Sequence, residues 1–160
     1  MLQPARQLVL IPRTSPGRLL RHAQRFLETV KAGCAAYEER EDLYRQMGTV
    51  VFAYWMAKLN HPVAIYDENR EKKIMARLRE GKGDWGLLCY AVDGAKRDDY
   101  LMGRDPRSTG RHDRIDVIFR NRSQVERFAE LCPKFRAGHP HPLVAKYQPH
   151  GLLETPPAQD

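Results

Sequence analysis

Apolar residues recur along most of this chain at three- and four-residue steps, the period of a helix that buries one face. Leu20, Ala23, Leu27, Val30, Cys34 and Tyr37 keep that step while Arg18, Arg21, Arg25 and Glu28 fall between them, which predicts one amphipathic helix over residues 16–46. Ser15-Pro16 supplies an N-cap and a proline at the first helical position. Gly48-Thr49 predicts a break, after which Val51, Trp55 and Leu59 form the stripe of a second helix, with Tyr54 beside it. Asn60-His61-Pro62 ends that helix, because the residue before a proline is pushed out of helical dihedrals.

Asp67 predicts the cap of a third helix running from Glu68 to Glu80 and closed by Gly81. Its apolar face is narrow (Ile74, Met75, Leu78), and the opposite face is Arg70, Lys72, Lys73, Arg77 and Arg79. Gly83-Asp84 opens a fourth helix with Trp85, Leu88 and Val92 on one side and Asp93-Gly94 near its end. Residues 103–112 read as a long polar loop, Ile115 to Phe119 as a short apolar segment preceded by a capping Asp113, and Ser123 as the cap of a last helix with Val125, Phe128 and Leu131. From Pro133 onward prolines and polar residues predict an irregular, flexible tail. The pattern thus predicts an all-α fold: a small helical bundle over 49–132, an N-terminal extension over 1–48 with its long amphipathic helix, and a tail over 133–160. Trp55, Ile74, Leu78, Leu88, Val92, Ile118 and Phe128 are the predicted core.

Composition narrows the class further. The 160 residues suit one domain, and 42% hydrophobic residues can build its core. Three cysteines without a C-x-x-C spacing exclude a disulfide framework and point to a reducing compartment. No apolar run is long enough for a membrane span, and Leu8-Val-Leu-Ile11 is too short for a signal peptide, so a soluble cytoplasmic protein with no membrane partner is expected. The net charge of +7 invites a nucleic-acid partner, but it is spread: +3 over residues 1–48, +1 over 49–95, +2 over 96–132 and +1 over 133–160. The local exception is the Arg-rich stretch holding Arg97, Arg104, Arg107, Arg111, Arg114, Arg120 and Arg122, since the planar guanidinium suits phosphate.

Catalytic chemistry has no candidate in this reading. Cys132, His139 and His141 supply three possible ligands for zinc without an obvious fourth, so no metal site is expected. His112-Asp113 lacks the further ligands that metal-dependent phosphohydrolysis needs. Asp98, Asp99, Asp105, Asp113 and Asp116 could serve Mg²⁺ in a nuclease, but each has an arginine within a few residues, and surface ion pairs are the better expectation. Trp55 and Trp85 sit at helical spacing on apolar faces and are core residues before they are stacking platforms. Each cysteine lies in an apolar stripe or at a helix end, and neither a nucleophile elbow nor a phosphate-binding glycine loop is present. No cofactor is called for, and a non-enzyme is expected.

Residues 49–131 also carry a resemblance. Val51-Phe-Ala-Tyr-Trp55-Met-Ala-Lys-Leu-Asn-His-Pro62, Asp67-Glu-Asn-Arg70 through Ile74, Arg77 and Gly81, Leu88-Cys-Tyr-Ala-Val-Asp93-Gly94, Tyr100-Leu-Met-Gly103-Arg, Ile115-Asp-Val-Ile-Phe-Arg120 and Val125-Glu-Arg-Phe128 follow one another in order. Together they resemble a C-terminal domain of phage and prophage replication-initiation proteins, also called replisome organisers or helicase-loading proteins. The resemblance implies a small helical domain without catalytic residues in the cytoplasm of a bacterial host, contacting DNA, the replicative helicase, or both. Arg70, Lys73, Arg77 and Lys82 on one face, with Arg104, Arg107 and Arg111 from the polar loop, are then the candidate contacts to phosphate or to an acidic partner surface. The alternative is a small protein-interaction module without DNA, dimerising or docking on a host protein through the stripe Leu20, Leu27, Val30 and Tyr37.

Overall fold

Helix α1, Tyr37–Lys58, opens the stretch 37–147 that the computed structural model describes. Helices α2 (Glu68–Glu80), α3 (Trp85–Arg97), α4 (Ile115–Ile118), α5 (Arg122–Ala129), α6 (Pro133–Arg136) and α7 (Pro142–Tyr147) follow, and no strand occurs among the described residues. The fold is all-α, as the periodicity predicts.

The expected break at Gly48-Thr49 does not occur, and α1 runs through it. Both α2 and α3 pack on α1, so its buried residues (Leu43, Tyr44, Met47, Val50, Val51, Phe52, Ala53 and Trp55 among them) cover more than one face. Gly48 faces α2 and the residue before its cap: a Cβ there would lie 2.9 Å from the Tyr66 hydroxyl and 3.4 Å from Ile74 Cγ2. The glycine therefore serves helix packing and not a turn, and the Thr49 hydroxyl stays within the helix by donating to the Arg45 carbonyl at 3.0 Å. An expected boundary at 48/49 would thus fall inside a continuous helix. Leu20, Leu27 and Val30 lie outside the described residues, and Tyr37 is the first residue of α1.

Local signals elsewhere translate directly into structure. The Asp67 carboxylate accepts from the Arg70 amide at 2.9 Å and starts α2, whose buried face is Ile74, Met75 and Leu78. Asp84 accepts from the Leu87 amide at 3.0 Å and starts α3. That helix is the centre of the molecule, with ten of its 13 residues buried. It makes its most extensive contact with α5 and also carries α1, α4 and α7. All seven predicted core residues are buried.

Three further expectations need correction. The apolar segment 115–119 holds the short helix α4, whose N-cap is Arg114 and not Asp113; Asp113 is instead buried. Helix α5 begins two residues earlier than Ser123 implies, because the Asn121 side chain accepts from the Gln124 amide at 2.8 Å. Residues 133–147 are not an irregular tail: Pro133 and Pro142 stand at the starts of α6 and α7, where a missing N–H costs nothing.

Candidate functional site

Two polar knots and one groove organise the surface. The first knot begins where α1 ends. Asn60, at φ 57°, turns the chain sharply, and His61 folds back so that its ring stacks on Trp55 at 4.3 Å between centroids and 13° between planes. Trp55 Nε1 donates to the Asp113 carbonyl at 2.9 Å, and His61 Nε2 meets Asp113 Oδ2 at 3.1 Å. Arg111 Nη2 donates both to the Leu59 carbonyl at 2.6 Å and to the Asp113 carboxylate. Asp113, only 2% exposed, is thereby a buried carboxylate neutralised by a guanidinium and oriented by an imidazole. The knot ties the connection between α1 and α2 to the end of the long polar loop.

Beyond His61 the chain runs through Pro62-Val63-Ala64-Ile65 to the cap of α2. Arg70 holds this run from the other side, donating to the Ile65 carbonyl and lying 3.4 Å from Asp67. Tyr66 is stacked on Phe52 at 4.6 Å, and burial raises its hydroxyl pKa. Between the two anchored ends Val63 is 89% exposed and Ile65 72% exposed. They line a groove of about 650 Å³ together with Trp55, His61, Arg114, Ile115 and Asp116. A single exposed apolar side chain is ordinary, but two on one loop beside a groove make an apolar patch, and such patches mark contact surfaces.

The second knot centres on Asp93 of α3. Asp93 accepts from the Tyr54 hydroxyl at 2.6 Å, lies 3.3 Å from Lys58 Nζ and meets His141 Nε2 at 3.1 Å. Burial raises the carboxyl pKa, but the bonds from His141 and Tyr54 and the charge of Lys58 outweigh it, leaving Asp93 below its ordinary value. His141 is 3% exposed, its ring edge-on to both Tyr54 and Tyr90. Tyr90 Oη donates to the His139 carbonyl at 2.8 Å, and Val144 packs over Gly86. This knot straps α6 and α7 onto α1 and α3. It also engages the residues weighed for zinc: His141 serves Asp93, Cys132 donates to the Tyr90 carbonyl at 3.4 Å, and no set of three His, Cys, Asp or Glu able to hold a metal occurs among the described residues.

The seven candidate phosphate contacts do not form one free surface. Arg104 is paired with Asp99 at 2.7 Å and Arg107 with Asp105 at 2.7 Å, while Arg111 belongs to the first knot. Arg70 is held as described, and Arg77, 12% exposed, pairs with Glu80 at 2.7 Å. Lys73 and Lys82 are exposed and carry no ion pair among the described residues. Comparison with known proteins adds no relative. No family model, curated protein or solved structure matches the chain. What the sequence reading missed is the groove itself: Asn60-His61-Pro62 reads only as a helix stop. The one available signal was three apolar residues (Val63, Ala64, Ile65) placed where a turn to Asp67 needs none.

Proposed function

We propose that this chain is a non-catalytic protein-interaction module whose working surface is the groove beside Val63 and Ile65. The observation that carries the reading is a pair of large apolar side chains held in the open on a loop fixed at both ends, by the Asp113 knot and by Arg70. A prearranged loop loses little conformational freedom on docking, which favours affinity. An apolar centre with a polar rim is the usual anatomy of a protein contact. The resemblance to replication-initiation domains would make the setting a phage replication complex, with a replicative helicase or another replication protein as a member.

The test is a photo-crosslinking residue placed at Val63 in living cells, with the same residue at exposed Glu130 as reference. Discrete adducts from position 63 and none from position 130 are the expected result. Equal, diffuse labelling from both positions would remove the groove as a working surface.

A second reading, contact with a DNA backbone, is supported by Lys73, Lys82 and Arg120, which are exposed and carry no ion pair among the described residues. With the loop arginines paired, that contact would be weak and sequence-independent, resting on counterion release from a few phosphates.

A further inference from the structure

We infer that the occupant of the groove is a second copy of this chain, docked about a two-fold axis; this rests on the docking reading above. A two-fold contact presents the same patch from both sides, so the patch must be complementary to itself in shape and in charge. This one has both properties. In shape, it places a protrusion beside a recess: Val63 and Ile65 stand out from the surface while lining a groove of about 650 Å³, so the loop of one copy can enter the recess of the other. In charge, Arg114 and Asp116 face the groove on either side of Ile115, both are exposed, and neither has an ion pair among the described residues. A two-fold axis near Ile115 brings Arg114 of each copy to Asp116 of the other, completing two pairs at once.

The same charges argue against a strongly charged occupant. The groove holds Asp67 and Asp116 beside Arg70 and Arg114, so it favours neither a polyanion nor a polycation, and Arg70 is already engaged with the Ile65 carbonyl and Asp67. Like charges set opposite one another across an interface are unfavourable, which makes the register testable by charge exchange.

The experiment is the mass of the full chain in solution, by sedimentation equilibrium from low to high micromolar concentration, for the native protein and five variants. Val63→Asp and Ile65→Asp alter only exposed side chains and should give a folded monomer, with the helical circular-dichroism signal retained. Arg114→Asp and Asp116→Arg should each raise the dimer dissociation constant roughly tenfold, by turning two attractive pairs into two repulsive ones. The double variant should recover most of that loss. Asp is a good N-cap residue, so Arg114→Asp is compatible with the start of α4.

A native chain that stays monomeric throughout overturns self-docking. A dimer that survives Val63→Asp and Ile65→Asp forms elsewhere, and overturns the groove as its site. Crosslinking from position 63 separates the two levels of the argument. An adduct at twice the chain mass supports the second copy. An adduct of another mass keeps the groove as a docking surface but overturns this occupant. Absence of any adduct removes both.

Discussion

Gly94 leaves no room for a methyl group. A Cβ at that position would lie 1.7 Å from the Phe128 carbonyl oxygen and 2.5 Å from its carbon, so α3 and α5 touch backbone to backbone. Gly94→Ala must push two helices apart and should cost about 3 kcal/mol in urea unfolding. Gly48→Ala is the contrasting case, since its first obstacle is the end of the Tyr66 side chain at 2.9 Å. There the gain in helix propensity, roughly 1 kcal/mol, offsets most of the packing cost, and the midpoint should barely move. Equal losses in the two variants would refute this account of why each glycine is present. Asp113 makes the third case at this scale. Asp113→Ala leaves Arg111 only the Leu59 carbonyl and frees the His61 ring that roofs Trp55. Because Arg111 is partly exposed and its charge stays hydrated, the loss should be about 2 kcal/mol, less than for a fully buried pair. A change within roughly 0.5 kcal/mol of zero would show that the knot does not hold the loop.

At the scale of elements, the strap formed by α6 and α7 depends on one carboxylate. The Asp93 pKa is lowered in the folded chain, so the charged form favours folding. That contribution is complete above the ordinary carboxyl value of 3.8 and is lost as the pH falls through the lower folded value. Below about pH 4 the segment 133–147 should therefore loosen before the rest of the bundle, read as earlier amide exchange of α7 than of α3. Asp93→Asn should remove most of that acid response and lower stability at neutral pH; an unchanged acid profile would place the sensitivity at other carboxylates. Most elements were legible because their signals are local: Asp67, Asp84 and Gly81 act within one turn, and Ile74, Met75 and Leu78 show their face by spacing alone. The strap was not, since prolines read as breakers until their place at a helix start is known, and His141 finds Asp93 48 residues away. The continuity of α1 through Gly48 was hidden for the same reason: the neighbour that explains it, Tyr66, arrives from a different segment. The candidate site suffered most, because His61 and Asp113 are 52 residues apart and meet only in the folded chain.

Across the whole molecule, the decisive quantity is how many of its cations remain available to a polyanion. The formal charge of +7 suggests many, yet of the seven candidate contacts five are paired or held within the chain, and Lys73 and Lys82 remain. Counterion release turns that difference into a number. The slope of log affinity against log salt is about −0.9 per phosphate contacted on duplex DNA, so seven contacts would give about −6, and Lys73, Lys82 and Arg120 together about −3. Fluorescence anisotropy with labelled duplex of arbitrary sequence, titrated with salt, should return a slope near the smaller value. Neutralising Arg104, Arg107 and Arg111 together should leave that slope unchanged, while Lys73→Ala, Lys82→Ala and Arg120→Ala combined should abolish what binding there is. A steep slope that flattens with the loop variant would mean that the loop pairs open to admit phosphate. Breaking exposed pairs such as Arg104–Asp99 and Arg107–Asp105 costs at most about 1 kcal/mol each, so they are weak enough for a strong polyanion to break. The experiment thus weighs intramolecular pairing directly against DNA.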